Sequence, residues 1–121
     1  MKKILIADDS LFMRKMLKDI LSVEDKYEIV EAQNGKEAEA QFKKHNPDLI
    51  LLDIIMPEGE EEGITVLEAV KKLNPSAKVV MITAVGQDTI IAECKKAGAV
   101  DYLIKPFDKN EVIETVKKSL G

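Results

Sequence analysis

Short apolar runs alternate with stretches of helical periodicity along the whole chain. Ile4-Leu5-Ile6-Ala7 predicts a strand over residues 3–8. A helix is predicted over 11–21, with Met13, Met16, Leu17, Ile20 and Leu21 on one face and Arg14, Lys15, Lys18 and Asp19 on the other. Residues 27–31 read as a second strand. Asn34 then reads as a helix N-cap, with Glu37 three positions on completing a capping box. This helix stops before Asn46-Pro47, because the residue preceding a proline disfavours helical geometry. Leu49–Asp53 is an almost unbroken apolar run, the kind buried on both faces of a parallel sheet. After a loop to Gly63, a helix is predicted over 64–73, ended by Asn74-Pro75. Strands over 78–83 and 101–104 flank a helix over 87–97 with Gly98 as its C-cap. Asp108, with Glu111 in a second capping box, starts the last helix, which ends at Leu120-Gly121.

Five strands and five helices in strict alternation predict a doubly wound α/β domain: a five-stranded parallel sheet with helices on both faces. In such sheets ligands bind outside the carboxyl ends of the strands. Asp8, Asp9, Asp53, Thr83 and Lys105 all fall at or just past predicted strand ends. The element pattern and the polar positions therefore support each other. No internal repeat, linker or low-complexity tract interrupts the alternation.

The 121 residues fit one domain, large enough to bury a core without metal or disulfide staples. The single cysteine, Cys94, allows no internal disulfide, which fits a reducing compartment, and its amphipathic setting makes it a structural thiol. Asp8 breaks the first apolar run, so no signal peptide is expected, and no run approaches the roughly 20 residues needed to span a bilayer. A cytoplasmic, soluble protein is expected. The net charge of −4 argues against direct nucleic-acid binding. His45, the only histidine, sits at a helix end as a solvated residue, and the Met13 and Met16 pair is expected in the core.

The adjacent carboxylates of Asp8 and Asp9 repel each other, and a hard cation with oxygen ligands would relieve that repulsion. Each site segment also has an ordinary explanation. Asp9 or Ser10 can cap the following helix, Asp53 can be a strand-end acid, and Lys105 can be solvated. Buried aspartates are rare without a partner, however. Three acids and one ammonium gathered at one sheet edge point to a divalent cation plus an anion.

The residues Asp8-Asp9, Asp53 with Met56-Pro57, Thr83-Ala84, Ala97-Gly98-Ala99 and Lys105-Pro106-Phe107 resemble, as an ordered set, those of a response-regulator receiver domain. The resemblance covers essentially the whole chain. Asp9-Ser10-Leu11-Phe12-Met13-Arg14 and Ala84-Val85-Gly86-Gln87 are similar to the stand-alone chemotaxis (CheY-like) branch. It implies a flavodoxin-like (βα)5 fold and a single receiver domain over 1–121 with no output domain. Asp53 would accept a phosphoryl group from a sensor histidine kinase. Asp8, Asp9, Asp53 and the backbone carbonyl of Ile55 would hold Mg²⁺. Lys105 would pair with the phosphoryl group, Thr83 would bond one of its oxygens, and Tyr102 would be the aromatic switch. Output would pass to a target protein, a flagellar-motor switch protein being the partner implied, with a phosphatase as a further possible partner. Such a protein is a phosphorylation switch with self-catalysed phosphotransfer and dephosphorylation, not a turnover enzyme.

One segment departs from the pattern. Glu58-Gly59-Glu60-Glu61-Glu62 puts five residues between Pro57 and Gly63 where the family usually has three, and is expected to be a solvated acidic loop. Alternatives carried forward are a relay to a phosphotransfer protein, a fragment of a larger regulator, and a phosphorylation-independent binding module. A haloacid-dehalogenase-type phosphatase would need an acid at the position of Ile55. Dinucleotide binding lacks a glycine-rich turn after the first strand.

Overall fold

A computed structural model describes residues 1–56, 62–84 and 88–121. Pro57, the acidic residues Glu58, Glu60 and Glu61, the Val85-Gly86 pair and Gln87 lie outside the described residues. Ten elements follow in alternation: β1 (Lys2–Ala7), α1 (Leu11–Ser22), β2 (Tyr27–Ala32), α2 (Gly35–His45), β3 (Leu49–Asp53), α3 (Glu62–Leu73), β4 (Val79–Ala84), α4 (Asp88–Lys96), β5 (Asp101–Lys105) and α5 (Lys109–Leu120). The strands form one parallel sheet in the order β2-β1-β3-β4-β5. This is the flavodoxin-like arrangement. The strand order reverses between β1 and β3, so the crevice at that switch point opens beside the carboxyl ends of these two strands.

Alternation along the strands divides the core in two. Leu5, Ile50, Leu52, Val79 and Met81 face α2, α3 and α4 through Ala38, Phe42, Val66, Leu67, Val70 and Cys94. Ile4, Ile6, Leu49, Leu51, Val80 and Ile82 face α1 and α5 through Leu17, Leu21, Val112 and Val116. Every residue of β3 is buried, as its unbroken apolar run requires of a central strand covered on both faces. Met13 only packs against the second core, and Met16 is half-buried, so this pair lies at the core's rim and not within it.

The predicted N-caps form, but neither capping box closes as expected: Glu37 bonds a neighbouring N–H, and no return bond runs from the Glu111 carboxylate to Asp108 among the described residues. Ser10, not Asp9, caps α1 by accepting from the Met13 N–H. Asn34 caps α2, and the Glu37 carboxylate reaches back to the N–H of Gln33, one residue beyond the expected cap. Asp108 caps α5 by accepting from Glu111 N–H. At the other end of α2, Asn46 adopts φ 44° and returns its N–H to the Phe42 carbonyl. Gly98, at φ 105°, plays the same part after α4, a conformation that glycine takes without steric cost.

The prediction for 64–73 needs correction. α3 begins at Glu62, and Glu62 is therefore not a solvated loop residue. Its carboxylate accepts a hydrogen bond from the Gly35 N–H, at the exposed-donor end of α2. The signal is non-local, with 27 residues separating the partners, and so could not be read from periodicity.

Candidate functional site

β1 ends at Ala7, and the chain leaves the sheet through Asp8 and Asp9. The Asp8 N–H extends the ladder one step by donating to the Ala32 carbonyl at 3.0 Å. This keeps Asp8 inside, 1% exposed, while Asp9 is exposed. Asp8 Oδ1 accepts from the Ser10 N–H at 2.9 Å. Its Oδ2 is buried and has no hydrogen-bond donor. Asp53, the last residue of β3, is 5% exposed, and its Oδ1 accepts from the Ile55 N–H at 3.2 Å. Oxygens of Asp8, Asp9 and Asp53 lie within 4.8 Å of one another.

Lys105 closes the group from across the sheet. It ends β5, two strands from β3, and the length of its side chain brings Nζ to 3.2 Å from Asp53 Oδ2 and 3.9 Å from Asp8 Oδ2. One ammonium thus faces two buried carboxylates. The imbalance appears in Asp8, whose carboxyl is pushed up to about 6 from 3.8. Burial is the main cause, and the nearby charge of Asp53 adds to it. The Ser10 N–H and Lys105 pull the other way.

The cluster suits Mg²⁺. All donors are hard carboxylate oxygens, one buried oxygen has no hydrogen-bond donor, and exposed Asp9 leaves room for the waters that Mg²⁺ retains. Ile55 is 41% exposed beside Asp53, at the rim of this site.

Thr83 lies one residue before the end of β4 and is 2% exposed. Its Oγ1 donates to the Ala84 carbonyl at 3.4 Å, a long contact. Thr83 shares a sheet face with Met81, two residues earlier. Tyr102 pairs with Met81 across the ladder and packs against the same core. Thr83 and Tyr102 are thus diagonal neighbours on the face covered by α2, α3 and α4. The Tyr102 ring is half-buried under the Lys95 ammonium, 4.6 Å from its centroid. Asp8, Asp9, Asp53, Ile55, Thr83 and Lys105 therefore lie at one sheet edge, and Tyr102 lies further back along β5.

Helical periodicity puts Arg14 on the polar face of α1, and the structure corrects this. Its side chain is 11% exposed, donating through Nη1 to the Asp8 carbonyl at 2.7 Å and through Nε to Glu31 Oε1 at 3.0 Å. Periodicity marks charged residues as outward-facing, and a long side chain can fold back from there. In the sequence Gly63 marks only the end of a loop. Its N–H donates to the Ile54 carbonyl at 3.0 Å, and a Cβ there would lie 2.5 Å from Ile54 Cα and 2.6 Å from the Asp53 carbonyl oxygen. Only glycine lets α3 start this close to the strand end bearing Asp53. Cys94 is buried and its thiol is pushed up by that burial, in keeping with a structural role.

This fold, with an acidic pocket and a lysine at the β1/β3 switch point, defines a class of signalling domain. Residues 4–117 match the response regulator receiver domain, and the chain belongs to that family. Receiver domains are components of phosphorylation-driven two-component signalling, and CheY-like receivers are signalling switches. Receiver domains generally bind Mg²⁺ at such a pocket, and the family implies a histidine kinase and a downstream target. Among relatives, the chemotaxis protein CheY of Bacillus subtilis (strain 168) is 44% identical over 120 residues, covering 98% of each chain. The sporulation initiation phosphotransferase F of the same strain is 37% identical over 119 residues, covering 98% of this chain and 94% of that one. A solved CheY-like receiver domain from Methanospirillum hungatei JF-1 superposes with a TM-score of 0.91 at 32% identity, covering 99% and 94% of the two chains. No described helix is long and apolar enough to cross a membrane.

Proposed function

We propose that Asp53 is the phosphoryl acceptor of a cytoplasmic chemotaxis-type switch, with Asp8, Asp9, Asp53 and the Ile55 carbonyl holding Mg²⁺. The observation that carries this reading is the convergence of three carboxylates within 4.8 Å, with Lys105 Nζ at 3.2 Å from Asp53. When bound, Mg²⁺ supplies positive charge to the phosphoryl oxygens. The Asp53 carboxylate attacks phosphorus on the donor. A new O–P bond forms as the P–N bond to the donor imidazole breaks, and that ring keeps the bonding pair and takes a proton from solvent. Lys105 holds the carboxylate before transfer and pairs with the transferred group afterwards. Hydrolysis later returns the free carboxylate. Exposed Ala84, beside Thr83, leaves a path for the donor or an attacking water.

A donor protein must cover the mouth of this pocket. Beside Lys105 lies a groove of about 470 Å³ lined by Met13, Met16, Pro106 and Phe107, and Leu11 and Phe12 stand exposed nearby on α1. Such an apolar surface suits a kinase phosphodonor domain. Output to a target, such as a flagellar-motor switch protein, passes through the flank formed by α4, β5 and α5. The Thr83 hydroxyl turns toward a phosphoryl oxygen and Tyr102 rotates into the space released.

The similarity to the sporulation phosphotransferase favours a second reading, a relay that passes the phosphoryl group onward. Intact mass after incubation with a small acyl phosphate tests the shared chemistry. A gain of one phosphate that requires Mg²⁺ and is absent in Asp53→Asn is expected. No gain in the native protein would favour a phosphorylation-independent binding module. Transfer of the group to an added histidine phosphotransfer domain would select the relay.

A further inference from the structure

Asp8 is gripped through its backbone from two sides. Its N–H donates to Ala32 at the end of β2, and its carbonyl accepts from Arg14 Nη1 on α1 at 2.7 Å. That carbonyl belongs to the peptide joining Asp8 to Asp9. The peptide is planar, so holding its oxygen restricts ψ of Asp8 and φ of Asp9 together. These two angles set the directions in which both carboxylates leave the chain. Arg14 is itself fixed by its second donor, Nε, on Glu31 at 3.0 Å, one residue before Ala32. Glu31 also lies 3.8 Å from Lys18 Nζ, which keeps it turned toward α1. The guanidinium therefore ties three elements, α1, the end of β1 and the end of β2, at the acidic pair.

We propose that Arg14 is a positioning residue for the cation site: it orients the Asp8–Asp9 peptide so that both carboxylates converge on Asp53, with Glu31 as its fixed support. Arg14 touches no carboxylate of the site, and it acts through the backbone. Lysine cannot replace it, because one ammonium lacks the rigid fork that reaches two acceptors at once. The proposal rests on the reading of the acidic cluster as a Mg²⁺ site. Groups that orient metal ligands from behind typically change affinity by about 10–100-fold when removed.

Calorimetric titration of Mg²⁺ into metal-free protein, beside thermal unfolding in chelator, tests this. Arg14→Ala is expected to weaken Mg²⁺ binding about tenfold or more, and Arg14→Lys nearly as much. Glu31→Gln is expected to have a smaller effect in the same direction. In an Asp8→Asn background, Arg14→Ala is expected to cost less than in the native chain, because the two act on one carboxylate. Variants that melt earlier yet bind Mg²⁺ with native affinity while folded would overturn the proposal, leaving Arg14 a part of the scaffold. If Arg14→Ala does not fold, Arg14→Lys and Glu31→Gln decide by the same criterion. Failure of the native protein to bind Mg²⁺ would overturn the cation reading and the proposal with it. Native binding with unchanged variants would overturn the proposal alone.

Discussion

Asp8 sets two demands against each other at the residue scale. A carboxylate oxygen without a donor, buried beside a second carboxylate, is unfavourable in the metal-free fold. The folded Asp8 carboxyl titrates near 6, above its ordinary 3.8, so between these values the native state binds a proton that the unfolded chain does not. The resulting destabilisation is fully present above about pH 6 and is relieved as pH falls toward 4. A shift of about two pH units corresponds to on the order of 2–3 kcal/mol. Asp8→Asn is therefore expected to raise the melting temperature in chelator at pH 7, with the advantage shrinking toward pH 4. Equal melting curves at pH 7 would contradict this. Lys105 carries the complementary prediction. Its ammonium sits 3.2 Å from Asp53 and repels any cation bound there. Lys105→Ala is expected to leave Mg²⁺ affinity unchanged or tighter in calorimetry while slowing mass gain from an acyl phosphate by about tenfold or more.

Among the elements, the junction of β3 and α3 matters most for the site. The first turn of α3 abuts the backbone of Asp53 and Ile54, and Gly63 is the point of contact. Gly63→Ala forces one of the two backbones to move. A loss on the order of 2 kcal/mol is expected by thermal unfolding, together with weakened Mg²⁺ binding. A stable variant with native affinity would show that the contact does not position Asp53. This junction is also where local sequence pattern ceases to specify the structure. The strands and helices were legible because their burial is periodic, and Leu49–Asp53 was read to the residue since two-faced burial leaves no polar position before Asp53. The site acids and Lys105 were legible because polar residues ending apolar runs break the pattern visibly. Glu62, Gly63 and Arg14 were not. Their roles arise from contacts with Gly35, Ile54 and Asp8, made by side chains or backbone that no local period records. The Glu62 bond to α2 further shows that the last residue of the acidic departure extends α3 and ties it to the neighbouring helix.

For the whole molecule, the requirement is a bias large enough to switch it. Converting a nearly all-inactive population to a nearly all-active one takes roughly 5.5 kcal/mol of differential stabilisation. A Thr83 hydrogen bond contributes on the order of 1 kcal/mol. If Tyr102 turns inward as proposed, its release from Lys95 would oppose the change by about 0.5–1 kcal/mol. In the proposed switch the phosphoryl group would bring about −1.5 to −2 charges beside Lys105, and that pairing, with reordering of the adjoining loops, would supply the rest. Thr83→Ala is accordingly expected to gain phosphate mass like the native chain while losing the response at Tyr102 and α4. The most direct measurement is an amide NMR spectrum of the ¹⁵N-labelled protein, recorded first with Mg²⁺ and then with an acyl phosphate. Mg²⁺ alone is expected to shift resonances of residues 8–10 and 53–55. Phosphorylation is expected to extend the shifts to Thr83, Tyr102 and the α4–β5–α5 flank. Shifts confined to the acidic pocket after phosphorylation, or none there with Mg²⁺, would contradict a Mg²⁺-dependent aspartyl switch read out through Tyr102.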